Sequence, residues 1–189
     1  MDTYSVEVFD NFISDEDHKK ICDNMLTQGF MWEYSKHKVF KAQEHGFRDH
    51  MLVHMFHAYN GHTSPGIELV NPILYKCNAL SVHRIKANLE LYSGDTQHKS
   101  DFHLDWSNPI TKKGCRTMTI GIYYVNTNNG YTEFEDGSRV ESVANRFIRF
   151  AGDLKHRGVN QTDTKERVVI NFNYFRDLDF DEFTEPPAY

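Results

Sequence analysis

The chain has 189 residues, 21 Lys and Arg against 27 Asp and Glu, a net charge of −6 with histidine neutral, and a pI near 6.0. That length fits one domain, 1–189, and 39% hydrophobic with 14% aromatic residues supplies a core, which excludes a disordered chain. An acidic balance suits phosphate backbones poorly, and no apolar run approaches the roughly 18 residues of a membrane helix. The start, Met1-Asp2-Thr3-Tyr4, lacks the basic flank of a signal peptide, and Cys22, Cys77 and Cys115 lie far apart without a Cys-x-x-Cys, which argues against a disulfide scaffold or a cysteine zinc site. The expectation is a soluble cytoplasmic protein with no nucleic-acid or membrane partner.

In chain order, Val6–Phe12 reads as a strand. Ser14 with Asp17 three residues on forms a capping signature, and Ile21, Cys22, Met25 and Leu26 supply a helical apolar stripe that Gly29 ends, so a helix is predicted over about Asp15–Gln28. His50, His54 and His57 would share one face if Asp49–Tyr59 were helical; a zinc or nickel site there has no completing carboxylate or cysteine at evident spacing, and a polar or partly packed helical face is the better reading. A second helix is predicted within Ser64–Leu80, where Pro72 forces a kink or a fresh start capped by Asn71.

From Arg84 onward the pattern is short β-prone runs between turn residues. Strands are predicted near Arg84–Tyr92, Asp101–Asp105, Thr117–Asn126, Tyr131–Glu135, Arg139–Val143, Arg146–Phe150, Lys155–Val159 and Glu166–Phe175, with turns such as Asn128-Asn129-Gly130 and Asp136-Gly137. About eight short strands indicate an α+β, mainly β fold: a double-sheet jelly roll (84–175) on an N-terminal α/β support (1–83), followed by an acidic tail (176–189). In the first of these strands Arg84, Lys86, Asn88, Glu90 and Tyr92 form a polar face, usually solvated but able to line the cavity of a barrel.

His103-Leu104-Asp105 places an imidazole and a carboxylate two apart, on one side of an extended chain. In a chain with 11 histidines, chance supplies on the order of one such pair. The rest of the set is more specific: His156 opens a later strand, and Arg167 opens the run Val168-Val169-Ile170-Asn171-Phe172. Two histidines and one carboxylate are the facial triad of non-haem Fe(II) sites, and a guanidinium is the planar fork that holds a carboxylate through two hydrogen bonds.

With this order of residues the chain resembles the 2-oxoglutarate and Fe(II)-dependent oxygenases, most nearly the compact prolyl 4-hydroxylase-like branch found in phages and bacteria. Leu91-Tyr92-Ser93-Gly94 and Ile122-Tyr123-Tyr124-Val125-Asn126 carry the likeness further, and it covers Arg84 to Phe175. The spacing from His156 to Arg167 is longer than in typical prolyl hydroxylases, and Gly158-Val159-Asn160 stands where Pro-Val commonly follows the second histidine. The resemblance implies a double-stranded β-helix with N-terminal helices packed on one sheet, and Fe(II) on His103, Asp105 and His156. It also implies 2-oxoglutarate held by Arg167 with Tyr124, Tyr92 lining the pocket, O2 as oxidant and ascorbate as reductant.

The carboxylate of Asp105 stands where related halogenases carry a small residue, so hydroxylation is the expected outcome. The expected substrate is a peptide, protein or amino-acid side chain, proline among the candidates, or another small molecule; a nucleobase is the alternative within the class. From a different class, a jelly-roll module that binds a metal or small acid without turnover shares the same fold.

Overall fold

The computed structural model describes residues 6–38 and 50–176. In chain order they form β1 (Glu7–Phe9), α1 (Asp15–Met25), β2 (Glu33–Ser35), β3 (Met51–Ala58), a 3-10 turn (Pro65–Val70), α2 (Asn71–Lys76), β4 (Ala79–Leu91), β5 (Cys115–Tyr124), β6 (Tyr131–Phe134), β7 (Arg139–Glu141), β8 (Arg146–Gly152), β9 (His156–Val159) and β10 (Glu166–Arg176). A seven-stranded antiparallel sheet runs in the order β1-β8-β5-β10-β4-β3-β2, and a three-stranded sheet in the order β7-β6-β9. The predicted acidic tail lies outside the described residues. Among the described residues no helix is long and apolar enough to cross a membrane.

Strand alternation builds two layers of core. On β10, Val168, Ile170, Phe172 and Tyr174 face outward from the barrel onto the helices, where they meet Phe12, Ile21, Met25, Ile73 and Phe147. The intervening Val169 joins Ile120, Ile122, Tyr124, Phe134 and Phe150 between the two sheets. The other intervening residues of β10, Arg167, Asn171 and Asn173, are polar and buried, and burial of that kind requires partners. They mark the stretch of the inter-sheet space that is a site rather than a core.

Several sequence expectations change. Residues His54 and His57 belong to β3, which pairs with β4, and the bulge between Met55 and His57 sets them differently from a helical stripe. His54 meets Ser64 and the Met31 carbonyl, His57 meets Thr63, and His50 lies beside the Tyr34 ring, so the three form no cluster. The second helix divides into the 3-10 turn and α2. Asn71 is the first residue of α2 rather than its cap, and no side chain caps that end. Asp101–Asp105 is not a strand; only His103 makes a bridge, to His156. Strands β2 and β3 lie where the sequence pattern predicts no strand. The Ser14 cap is present, its hydroxyl accepting the Asp17 amide at 3.1 Å.

Asn145 ties the N-terminal segment to the barrel. Its side-chain amide exchanges hydrogen bonds with both backbone groups of Ile13, at 3.0 and 2.9 Å, and its Oδ1 also accepts from the Tyr123 hydroxyl at 3.1 Å. The residue sits at φ 59°, a region Asn tolerates better than Ala. Asn145→Ala strands buried polar groups on both partners and strains the turn, so a loss of about 2–4 kcal/mol is expected in urea unfolding.

Candidate active site

Both histidines of the candidate triad are locked by a backbone bridge: the His103 amide donates to the His156 carbonyl at 3.0 Å, and the His156 amide to the His103 carbonyl at 3.1 Å. The rings are oriented by a second pair of contacts. Nδ1 of His103 lies 3.1 Å from the Asp101 carbonyl and Nδ1 of His156 lies 3.4 Å from the Leu154 carbonyl, which places the ring protons there and leaves each Nε2 lone pair free. Asp105 Oδ1 lies 3.7 Å from Nε2 of His103 and 4.0 Å from Nε2 of His156. The three ligand atoms all lie within 4.8 Å of one another, the one such grouping among the described residues.

The donor set fits a divalent metal on two independent grounds. Nε2 of His156 is buried with no hydrogen-bond partner, an orphan that a metal would satisfy. The charge states also match. Burial drives the His156 ring down to about 4, so it is a neutral ligand. Burial alone would push Asp105 up, but the neighbouring cations, Arg84 foremost, outweigh it and hold the carboxyl far below the ordinary range. Arg84 lies 3.3 Å from Asp105 Oδ1, and the Asn171 amide reaches Oδ2 at 3.5 Å. Neither arginine nor asparagine was anticipated as a support of the triad, although Arg84 belongs to the polar face of β4 noted in the sequence.

The triad opens into a pocket between the sheets that Arg167 also lines. Arg167 is 3% exposed, its Nε donates to the Ser142 hydroxyl at 3.1 Å, and its guanidinium lies 6.0 Å from the centre of the Tyr124 ring. The Tyr124 hydroxyl is committed to Thr132, donating at 2.8 Å, and it is Thr132 that faces the pocket. Burial pushes the Tyr124 phenol up to about 12, so it remains a hydrogen-bond donor. Tyr92 is placed elsewhere: it is 47% exposed, its hydroxyl bonds Asp95, and it borders a shallow depression with Thr164 and Lys165 instead of the pocket. Strand β4 ends at Leu91, so the alternation that aims Arg84, Lys86, Asn88 and Glu90 inward stops one residue before Tyr92.

Gly130 clears the path of the Arg167 side chain. A Cβ there would lie 2.7 Å from Arg167 Cδ and 2.8 Å from both Asn128 Oδ1 and the Val159 carbonyl. The sequence marks this residue only as a turn glycine. Gly130→Ala is expected to displace the arginine or the Asn128 turn, and an overpacked site of this kind costs about 1–3 kcal/mol, which urea unfolding measures.

No sequence-family model matches the chain, and no curated protein matches it in sequence. Solved structures do match in fold. A viral collagen prolyl hydroxylase from Paramecium bursaria Chlorella virus-1 is 14% identical, with 91% of this chain covering 96% of that one at a TM-score of 0.57. A Pseudomonas putida prolyl-4-hydroxylase is also 14% identical, over 93% and 94% of the two chains, with a TM-score of 0.54. A 2OG-Fe(II) oxygenase family oxidoreductase from Burkholderia pseudomallei is 12% identical over 91% and 85%, with a TM-score of 0.63. The fold is that of the 2-oxoglutarate and Fe(II)-dependent oxygenases. In this double-stranded β-helix one pocket is lined both by the His103, Asp105 and His156 cluster and by Arg167.

Proposed function

We propose that the protein is an Fe(II)- and 2-oxoglutarate-dependent dioxygenase that hydroxylates a peptidyl, protein or amino-acid side chain. The observation that carries the reading is that one pocket contains both the metal-ligand cluster and a buried arginine. Arg167 and Asn171 lie on the same face of β10, four residues and so about 13 Å apart along the strand, and Asn171 touches the triad through Asp105. The arm of Arg167 covers part of that span, and a five-carbon keto diacid suits the remainder.

In this reading His103, Asp105 and His156 hold the iron on one face, and Arg167 holds the far carboxylate of 2-oxoglutarate. The Thr132 hydroxyl, oriented by Tyr124, donates to the same carboxylate. Bound Fe(II) supplies the oxygen chemistry, in which 2-oxoglutarate, O2 and a substrate C–H become succinate, CO2 and a C–OH. The protein groups position the cosubstrate and keep the metal end ionised and dry. A peptidic substrate agrees with the prolyl hydroxylases that share the fold.

Incubation with Fe(II), ascorbate, oxygen and 2-oxoglutarate, followed for succinate, tests the activity. Succinate above a metal-free control, rising on addition of a peptide or amino acid, is the expected result. Binding of metal and 2-oxoglutarate with no succinate under any candidate substrate would instead favour a binding module.

A further inference from the structure

Two basic side chains stand at the metal end of the pocket, away from Arg167. The register of β4 and β10 sets the inward-facing residues in pairs: Glu90 opposite Arg167, Asn88 opposite Val169, Lys86 opposite Asn171 and Arg84 opposite Asn173. Asn171 touches Asp105, so Lys86 is level with the triad. Arg84 and Asn173 lie two residues, or about 7 Å, further along the strands and farther still from Arg167. A 2-oxoglutarate that runs from Arg167 to the metal leaves this stretch to another ligand.

Polar groups there are short of partners. Lys86 lines the pocket, and among the described residues its side-chain nitrogen has no hydrogen bond or ion pair; the charges that act on it are Arg84 and, with opposite sign, Asp105. Arg84 Nη2 lies 3.3 Å from Asp105 Oδ1 and donates to Asn173 Oδ1 at 3.5 Å, while its Nε is buried without a partner. Asn173 is fully buried, and its Nδ2 is unpartnered as well. All three nitrogens are donors, and buried donors call for an acceptor.

Charge favours an acceptor that is an anion. Burial, with Arg84 adding to it, lowers the Lys86 ammonium to about 8, which leaves it largely protonated at neutral pH. Arg84 is charged throughout. Asp105 is thus one carboxylate between two cations, and a divalent metal adds more positive charge than the keto-acid end of 2-oxoglutarate removes. In a buried setting that excess is little screened.

We propose that Arg84, Lys86 and Asn173 form a carboxylate subsite for the substrate, so that the molecule hydroxylated is an acidic amino acid or peptide; the proposal rests on the reading of the pocket as a metal and keto-acid site. The carboxylate has two possible sources, the α-carboxylate of a free amino acid or peptide C-terminus and the side chain of an aspartate or glutamate. Either would tether the substrate beside the metal, at the opposite end from the cosubstrate's distal carboxylate.

The test uses protein loaded with manganese(II) and saturated with 2-oxoglutarate, titrated calorimetrically with two matched pairs. N-acetylproline against N-acetylprolinamide reports an α-carboxylate; the α-amidated N-acetyl derivatives of aspartate and asparagine report a side-chain carboxylate. In one pair at least, the acid is expected to bind about tenfold or more tighter than its amide, and the pair that shows this identifies the source. Lys86→Met, which removes no existing hydrogen bond of that side chain, should bring acid and amide to within about threefold of each other, and Asn173→Leu should narrow the gap by about threefold or more. Affinity for 2-oxoglutarate within about threefold of the parent shows that each variant is folded. Equal binding of acid and amide in both pairs by the parent overturns the subsite, and so does an acid preference that survives Lys86→Met. A Lys86→Met protein that loses 2-oxoglutarate but keeps the acid preference would put Lys86 on the cosubstrate instead. Failure of the parent itself to bind 2-oxoglutarate overturns the keto-acid reading, and the subsite falls with it.

Discussion

His156→Ala abolishes turnover and lowers divalent-metal affinity by at least about a hundredfold. The expectation follows from what the residue contributes. Its Nε2 is buried without a hydrogen-bond partner, and its aromatic neighbours Phe150, at 4.9 Å between ring centres, and Phe134, at 6.4 Å, cannot ligate a metal in its place. Loss of an outer-shell partner alone typically weakens a metal site 10- to 100-fold, and loss of a ligand costs more. The backbone bridge between positions 103 and 156 survives the substitution, which keeps His103 and Asp105 near their places and isolates the effect of the missing imidazole. Titration of manganese(II) into both proteins, alongside thermal melts, measures this. A variant that binds the ion with parental affinity would remove His156 from the metal site.

Much of the barrel is legible in the sequence because its strands are runs rich in β-branched and aromatic residues separated by turn residues. Glu166–Arg176 and Cys115–Tyr124 are the clearest cases, since each is long enough for its two faces to differ. The strand β3 was hidden for the opposite reason: Met51-Leu-Val-His-Met-Phe-His-Ala is mixed on both faces, and a bulge at Met55/His57 breaks its alternation. It becomes a strand by pairing with β4, a partner that no local pattern announces. Asp101–Asp105 erred the other way. Its His-x-Asp spacing satisfies a strand, yet within it only His103 finds a bridge partner, and the loop that carries His103 and Asp105 meets β9 through two isolated bridges, Lys99 with Val159 and His103 with His156.

The site divides along the same line. The His103, Asp105 and His156 grouping and Arg167 stand out in the sequence because the chemistry proposed for them demands particular residue types in a particular order. Their supports do not: Thr132 and Ser142 are commonplace residues whose roles arise from register, and Lys38 reaches Glu90 from 52 positions away. Tyr92 shows the limit of transferring a position by resemblance, because the strand that would aim it inward ends just before it.

If the proposed keto-acid site is right, Arg167→Ala is expected to raise the dissociation constant for 2-oxoglutarate by roughly two to three and a half decades, or about 3–5 kcal/mol, the usual consequence of removing one member of a buried charge pair. Two losses combine. The guanidinium fork disappears, and the Glu90 carboxylate, 3.6 Å from Arg167 NH1, loses a cation that offsets its charge toward an incoming carboxylate. Lysine at this position would keep the charge but not the planar fork or the bond to Ser142, so Arg167→Lys should recover only part of the loss. Metal binding should survive both substitutions: the triad is held by the 103–156 bridge and by Arg84 and Asn171 around Asp105, and none of those contacts involves Arg167. Parallel titrations of manganese(II) and then 2-oxoglutarate separate the two effects. Undiminished 2-oxoglutarate affinity in Arg167→Ala would place the distal carboxylate elsewhere in the pocket, and a simultaneous loss of metal would show that the two ends of the pocket do not act independently.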